Sequence, residues 1–559
     1  MGSVVAAHTE GNGVAGFPLL SVLLFLPMVV AFALLFIPRI SDATVKGIAL
    51  ATVLIELALS LVVTFTAGTG AGLQWEENYD WLPGIGVRYH LGTDGMSTMF
   101  LLLVGITGVI ALVASWESIR TNIKAYYVSY LLLMTGMVGV FTSFDLVLFY
   151  IFWELVLIPM ALIIGVWGSA NRVYAAIKFF LFTLAGSLLM LVGIVALYTA
   201  YYNETGVRTT DLIILAQRTP QMDLSFQLWT FAAFFAAFAI KVPMFPVHTW
   251  LPDAHVESPT AGSVVLAAVL LKMGAYGMMR FNMTMFPQAA REYAGPILVL
   301  STIAIIYGAV VAIVQPDMKK LVAYTSVSHM GFVTLGIFSF TPQGWQGALI
   351  NMFSHGLVTG GLFLCVGVLY ERAHTRQISA FGGIATRMPT YASIFMVFML
   401  AALGLPGLSG FVGEYLSILG AFRLENKLYA VISMFVVIFA AVYMMWMYKR
   451  VIFGLPQGAA PPDSHGGHGS DSHGATHGDA HGTTHDAHAA HAAPEGAHND
   501  AHAHQFPDLR RVEYATLVPL MIAAFFVGIY PVPFMEMLAP VINALLGPIV
   551  GVGSPALVP

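Results

Sequence analysis

Long apolar stretches recur along this whole chain, and they limit its possible folds more than any other feature of the sequence. Each is about as long as the 17–25 residues that an α-helix needs to cross the hydrocarbon core of a bilayer. The composition agrees, because 58% of the residues are hydrophobic and only 9% are charged, against about 25% in ordinary soluble proteins. Backbone polar groups inside lipid must be satisfied within the protein, so such stretches fold as helices. The sequence therefore predicts an all-α polytopic membrane protein.

The apolar stretches predict about fourteen transmembrane helices. They lie near residues 17–37, 45–67, 94–115, 125–142, 144–166, 176–200, 227–246, 262–282, 296–315, 321–339, 346–370, 391–420, 427–448 and 514–541. The first is too long for a signal-peptide core and lacks a basic leader, so we expect an uncleaved span. An even number of spans places both termini on the same side of the membrane.

The distribution of lysine and arginine predicts which side that is. Most of them fall in loops after odd-numbered spans, and fewer fall in loops after even-numbered spans, a set that includes Arg280. The positive-inside rule then places both termini on the non-cytoplasmic side of a bacterial inner membrane.

Some function classes are excluded by what the sequence lacks. The single cysteine, Cys365, excludes a disulfide framework and cysteine-ligated iron–sulfur clusters. Glycine-rich phosphate-binding motifs are missing, and the small net charge of −5 gives no sign of a nucleic-acid partner. We expect this chain to bind no cofactor and no metal ion.

One long segment, residues 455–508, does not resemble a membrane segment, and it holds most of the chain's 18 histidines. It lies between the last two predicted spans, which places it on the cytoplasmic side. Histidines three or four residues apart are able to bind divalent metal ions or to buffer protons. The alternative is a disordered low-complexity insertion that the function does not require.

Four ionisable residues, Glu154, Lys241, Lys272 and Glu414, lie in the middle of predicted spans. A charged side chain at the centre of a membrane helix costs about 2.5–3.5 kcal/mol on insertion scales, so such residues are rare and usually functional. Each one alone is also compatible with a static pair that fixes helix packing. Four of them in a chain so poor in charge favour an ion-conducting role.

Two of these charges lie beside predicted helix breaks. Lys241 precedes Pro243 and Pro246, and Glu414 follows the Gly-Pro-Gly segment around Pro406. Each proline removes one backbone donor and frees a carbonyl four residues earlier. The breaks fall in spans 7 and 12, which are fourth in two successive units of five spans.

Because five is odd, the second unit runs upside-down relative to the first. Paired broken helices in inverted repeats indicate an ion site near the middle of the membrane. We predict an N-terminal region (1–115), two inverted five-helix repeats (116–282 and 283–454), the histidine-rich loop and a C-terminal span (509–559).

Several polar residues between the breaks extend the predicted path. His329 and His355 lie inside spans, and His248 follows the first break. A membrane histidine is either a hydrogen-bonded packing residue or a proton relay, and the sequence leaves both open. Asp253, His255 and Glu257 form a polar group that we expect near the cytoplasmic face.

The motifs around these residues resemble those of a known family. The segments FWELVLIPM, IKVPMFPVHTWLPDAHVESPT, LLKMGAYG, TSVSHMG, FSHG and GLPGLSGFVGE closely resemble the antiporter-like subunits of respiratory complex I, the proton-translocating NADH:quinone oxidoreductase. The resemblance covers roughly residues 90–450. The L-type and N-type branches and the related Mrp antiporters usually carry lysine where this chain has Glu414, so the chain is most similar to the M-type branch.

The resemblance implies a role for each buried charge. Glu154 and Lys241 would form the charge pair of the first half-channel, Lys272 the central relay, and Glu414 the exit-side carboxylate. Flavin, iron–sulfur clusters and quinone would lie on other subunits. The partners would be other membrane-arm subunits, especially those of the L and N types.

Two other functions are compatible with the same residues. An Mrp-type cation/proton antiporter subunit would use a similar line of charges, driven by an ion gradient. A structural membrane scaffold is disfavoured by the four buried charges.

Overall fold

A computed structural model describes residues 17–66, 68, 70, 72–454 and 506–551, so the histidine-rich segment lies almost entirely outside the described residues. Helices dominate the described part. Thirteen of the helices found there are long and apolar enough to cross a membrane. The prediction of an all-α polytopic membrane protein is confirmed.

The N-terminal region contains three helices and a β-hairpin. These are α1 (Leu19–Phe36), α2 (Asp42–Thr66), β1 (Gln74–Leu82), β2 (Val87–Thr93) and α3 (Gly95–Ser118). The hairpin was not predicted from the sequence. It is antiparallel, and it lies at one end of the helix bundle, which we call the hairpin end.

Residues 123–285 form the next group of helices. They are α4 (Ile123–Thr142), α5 (Leu146–Leu155), α6 (Leu157–Trp167), α7 (Arg172–Thr205), α8 (Leu212–Arg218), α9 (Leu224–Lys241), α10 (Trp250–Glu257) and α11 (Thr260–Met285). Only a single non-helical residue separates α5 from α6, whereas eight residues separate α9 from α10. Helix α11 contains two π-helical turns, Leu266–Leu270 and Met278–Asn282.

The remaining helices run from residue 287 to residue 550. They are α12 (Pro287–Ile313), α13 (Met318–Ile337), α14 (Pro342–Ala373), α15 (Ile384–Arg387), α16 (Pro389–Ala402), α17 (Ser409–Phe422), α18 (Leu428–Phe453), α19 (Arg511–Ile529) and α20 (Val532–Val550). Short 3₁₀ turns occur at Thr219–Gln221 and Ile378–Ala380.

Aspartates begin many of these helices. The side chains of Asp94, Asp145, Asp211, Asp223 and Asp317 each accept hydrogen bonds from backbone N–H groups of the first helical turn. Such caps satisfy donors that have no partner within the helix. Charged residues at these positions therefore set where the apolar helices start.

The hairpin is held to its end of the bundle by a buried histidine. The two ring nitrogens of His90 lie 2.6 Å from an Asp211 carboxylate oxygen and 3.0 Å from Glu76. Burial alone would lower the pKa of His90, but hydrogen bonds and attraction to both carboxylates outweigh it and raise that pKa from 6.5 to about 9. On the other face of the hairpin, Glu77 accepts the backbone N–H of Leu20. The carboxylates thus tie β1 and β2 to α1 and α8.

Loops at the opposite end of the bundle join the two halves of the chain. Arg376 Nη1 donates to the Val256 carbonyl, and Lys319 Nζ donates to the Ser258 carbonyl, both at 2.5 Å. Arg510 forms ion pairs there with Glu117 and Glu371.

The prediction that the final span is a single helix is wrong. Residues 514–541 belong to α19 and α20, which are separated at Tyr530 and Pro531. Tyr530 has φ −131° and ψ 70°, because a residue before proline is sterically pushed out of the helical region. Apolar residues on both sides of this break conceal it in the sequence.

Two helices, α11 and α14, have their most apolar windows completely buried. They form the centre of the bundle, and both carry ionisable residues. Charge at the centre of this protein is therefore shielded from lipid by the chain itself.

Candidate functional site

The first helix break forms at the predicted prolines Pro243 and Pro246. Helix α9 ends at Lys241, and α10 begins at Trp250. The Ala239 carbonyl, which Pro243 cannot satisfy, accepts the N–H of Met244 at 2.9 Å. The Ile240 carbonyl accepts the Trp250 indole N–H at 2.9 Å. The protein thus replaces hydrogen bonds that the break removes, as a membrane interior requires.

Lys241 is 1% exposed at the end of α9. Its ammonium lies 5.1 Å from the centre of the Trp153 ring and 5.9 Å from that of Phe179, which are cation–π distances. Glu154, next to Trp153, is half-buried and acts on Lys241 through its charge. No hydrogen bond joins Glu154 to Lys241, both of which lie in the described part of the chain.

Lys272 is fully buried at the centre of α11. Its ammonium donates to the Ala267 carbonyl at 2.5 Å and lies 2.7 Å from Nδ1 of His355 on α14. Ala267 belongs to a π-helical turn, a distortion that is frequent at functional sites. Lys272 therefore has one fixed acceptor and one acceptor that is able to take up a proton.

The contacts continue from His355 to the second helix break. The rings of His355 and His329 are 5.7 Å apart, and Nδ1 of His329 lies 2.6 Å from Glu414. A cavity of about 10 Å³ lies among these three side chains, which is about the space that one water molecule requires. Lys272, His355, His329 and Glu414 therefore form one contiguous line of proton-binding groups.

Glu414 lies on α17, just beyond the second break. Helix α16 ends at Ala402 and α17 begins at Ser409, so Pro406 lies in the non-helical segment as predicted. Gly404 and Gly407 in that segment have φ values of 72° and 93°, which a residue with a side chain adopts with strain. The break places the Gly404 backbone beside a Glu414 carboxylate oxygen.

His248 does not join this line. It lies between the two parts of the first broken span, where its ring packs against Phe245 and Tyr307 at 5.8 and 4.9 Å. Among the residues that the structure describes, neither ring nitrogen has a hydrogen-bond partner. Its position is beside the first break, between Lys241 and α10.

His255, which we expect near the cytoplasmic face, is fully buried. Its ring stacks on Phe363 at 4.5 Å, and neither nitrogen has a partner within the described ranges. It lies within electrostatic reach of both Lys319 and Lys272. Its burial is not evident from the sequence and arises where α10 packs against α7 and α13.

Arg280 is not in a loop, contrary to its assignment from the sequence. It lies in the second π-helical turn of α11 and pairs with Asp94 at 2.6 Å. The sequence assigned it to a loop because it lies near the end of an apolar stretch and because its partner, Asp94, is distant in the sequence.

A cavity of about 800 Å³ opens at the end of the bundle opposite the hairpin. Its lining includes Glu117, Lys319, Glu371 and Arg376. Lys319 is buried and donates to the Ser258 carbonyl at 2.5 Å. Lys319 therefore connects the lining of this cavity with His255, which lies within its electrostatic reach.

The described ranges contain no group of three or more histidine, cysteine, aspartate or glutamate residues arranged to hold a metal ion. The histidine-rich loop, for which the sequence leaves open either metal or proton binding or a disordered insertion, lies almost entirely outside these ranges.

Comparison with known proteins identifies relatives of this chain. The profile of the family described as NADH:quinone oxidoreductase/Mrp antiporter, TM, matches residues 143–440. The chain is 48% identical over 454 residues to NADH-quinone oxidoreductase subunit M of Rhodobacter capsulatus, covering 78% of this chain and 86% of that relative. It is 40% identical over 520 residues to NADH-ubiquinone oxidoreductase chain 4 of Arabidopsis thaliana, covering 92% and 94%.

Solved structures are similar over almost the whole chain. Respiratory complex I from Thermus thermophilus contains a chain with a TM-score of 0.79 and 29% identity, covering 95% of this chain and 100% of that one. A chain of the Mrp complex from Dietzia has a TM-score of 0.77 and 20% identity, covering 95% and 98%. At 20% identity, the similarity to the Mrp chain shows a shared fold alone.

Proposed function

The chain belongs to the NADH:quinone oxidoreductase/Mrp antiporter family, and we propose that it moves protons along Glu154, Lys241, Lys272 and Glu414. It is an antiporter-like, proton-translocating subunit of the membrane arm of respiratory complex I, as its subunit M and chain 4 relatives indicate. Its enzymatic activity is that of the complex. The Mrp alternative is less supported, because that likeness shows only a shared fold.

The observation that carries the proposal is the close succession of Lys272, His355, His329 and Glu414, with hydrogen-bond distances at both ends and rings 5.7 Å apart in the middle. Amine, imidazole and carboxyl groups each bind and release a proton, and their spacing permits transfer directly or through one water molecule. Such closely placed groups titrate as a set. A proton leaving Lys272 therefore has a path to Glu414.

Lys241 and Glu154 would govern delivery of the proton to that path. The approach of the Glu154 charge would hold a proton on Lys241, and its withdrawal would favour release toward Lys272. The aromatic faces around Lys241 keep the ammonium in place without accepting its proton. His248 lies beside the break that follows Lys241, and His255 lies within electrostatic reach of Lys272.

The orientation and the neighbours complete the proposal. Both ends of the described chain lie at the hairpin end, since α1 begins against Glu77 and Gly551 lies beside Arg291 near the start of α12. With the charge bias of the loops, this supports termini on the non-cytoplasmic side and a cytoplasmic histidine-rich loop. The partners would be L-type and N-type subunits, and flavin, iron–sulfur clusters and quinone would be bound elsewhere in the complex.

The decisive experiment uses Glu154→Gln and Lys241→Ala in the assembled complex. We expect proton pumping coupled to quinone reduction to be abolished or sharply reduced in membrane vesicles, with assembly on native gels unchanged. Glu425→Gln and Lys427→Ala are matched controls, because they make the same chemical changes at exposed positions. Normal pumping in both test variants would exclude the proposed roles of Glu154 and Lys241.

A further inference from the structure

Span α11 carries a second buried charge, Arg280, on the hairpin side of Lys272. Lys272, Tyr276 and Arg280 are four residues apart and so share one face of the helix. Arg280 Nη2 lies 2.6 Å from an Asp94 carboxylate oxygen, and Asp94 also accepts the N–H of Ser97 at 3.0 Å. This pair is as buried as the line of groups that ends at Glu414. The proposed path does not use it.

The hydrogen bonds around this ion pair oppose the relay of a proton. Nε of Arg280 donates to the Tyr276 hydroxyl at 3.2 Å, and that hydroxyl donates in turn to the Phe141 carbonyl at 3.1 Å. A guanidinium stays protonated in proteins, and a backbone carbonyl accepts a hydrogen bond without passing a proton on. The Asp94 carboxylate is able to take up a proton, but Arg280 and the N–H of Ser97 already donate hydrogen bonds to it. The Tyr276 hydroxyl is likewise held between Arg280 and the Phe141 carbonyl. A proton would have to break these fixed hydrogen bonds to pass.

Aromatic rings exclude water from the same region. The Arg280 guanidinium lies 4.8 Å from the centre of the Phe144 ring, and Tyr276 contacts Phe141 and Phe100 at 5.1 and 6.0 Å in edge-to-face geometry. All of these side chains are buried. A continuous water chain from Lys272 to the hairpin end would have to displace them.

We propose that Asp94, Tyr276 and Arg280 form a proton-tight seal between Lys272 and the hairpin end of the bundle. A fixed guanidinium in a water-excluded constriction is a barrier to cations and protons. A proton on Lys272 then has His355 as its acceptor, and it moves sideways toward Glu414. This inference rests on the proposed proton path, and Arg280 is a positioning residue that contacts no transported proton.

The test measures passive proton leak, which separates this inference from the proposed pumping roles. Purified complex containing Arg280→Gln or Arg280→Lys is placed in liposomes, and a potassium diffusion potential drives protons inward without NADH turnover. We expect the leak to rise about tenfold or more over wild type, the change given by a barrier lowered by about 1.4 kcal/mol. The lysine variant keeps the charge, but its ammonium is able to release a proton when buried.

Arg372→Gln is the matched control. Arg372 pairs with Glu513 at 2.8 Å, and its side chain is 6% exposed against 5% for Arg280, but the pair is at the opposite end of the bundle. Its liposomes should hold the gradient as wild type does. Should Arg280→Gln fail to assemble, Arg280→Lys decides. Wild-type tightness in the assembled Arg280 variants, or an equal leak in Arg372→Gln, would overturn the seal.

Discussion

The attachment of the β-hairpin through His90 should depend on pH. Because its pKa is raised from 6.5 to about 9 in the folded protein, protonated His90 stabilises the attached hairpin. A difference of this size corresponds to about 3 kcal/mol, since each pKa unit is about 1.4 kcal/mol. Its side chain is only 2% exposed, so solvent screening reduces this value little. The stabilisation is complete below pH 6.5 and is lost as the pH rises through about 9.

Asp211→Asn isolates this contribution. Asp211 also caps α8 by accepting the N–H groups of Ile213 and Ile214, and asparagine caps helices about as well as aspartate. The substitution therefore removes the charge beside His90 and keeps the cap. We expect the free energy of opening the hairpin to fall by about 2 kcal/mol at pH 6.5, the usual value of a hydrogen bond between charged groups.

Amide hydrogen exchange of residues 74–93 in the purified complex measures this free energy, after correction for the intrinsic effect of pH on exchange. The difference between wild type and Asp211→Asn should be largest at pH 6.5 and small above pH 9.5. Asp80→Asn is the control: its ion pair with Arg88 is exposed, and it should change protection by less than about 0.5 kcal/mol. An equal loss of protection at both pH values would refute the linkage to His90.

Two further predictions concern the proton path. Gly413→Ala should lower proton pumping, because a Cβ atom there would lie 2.5 Å from the Asn351 backbone and would push Glu414 away from His329. Gly47→Ala is the control, because a Cβ atom at Gly47 would have no other atom within 4 Å. Overpacking of this kind costs about 1–3 kcal/mol, so normal pumping by Gly413→Ala in an assembled complex would contradict the close packing of α14 and α17. His355→Leu removes the acceptor that lies 2.7 Å from Lys272, and proton pumping should fall by about 10²-fold, the low end for loss of an acid–base group. Unchanged pumping in His355→Leu would show that Lys272 has another acceptor.

The sequence predicted those features of the fold that depend on local chemistry. Apolar length marked the spans, and the prolines at 243, 246 and 406 marked helix breaks that the structure contains. The break before Pro531 was missed, because the residues on both sides of it are apolar. The hairpin was missed as well, since β1 is mostly exposed and carries three acidic residues, so apolar and polar residues do not alternate along it.

The sequence could not predict which buried groups meet. Lys272 and His355 are 83 residues apart, and Arg280 and Asp94 are 186 apart. Their pairing depends on helix packing, which a single sequence does not encode in any local pattern. The four buried charges were recognisable because insertion into lipid makes each one costly, whereas Arg280 and His255 resembled ordinary residues at span ends.

The half-buried position of Glu154 has a consequence for biogenesis. Ile151 and Ile158, one turn before and one turn after it, are 41% and 59% exposed, so this stretch of α5 and α6 lies on the outer surface of the chain. A newly made copy would therefore present part of a carboxyl group to lipid, and we expect a neighbouring chain to cover it in the assembled complex. A charge left in lipid costs a few kcal/mol, so we expect an unassembled copy to carry a penalty that assembly removes. This free-energy penalty would make an unassembled chain less stable in the membrane than an assembled one, independently of proton translocation.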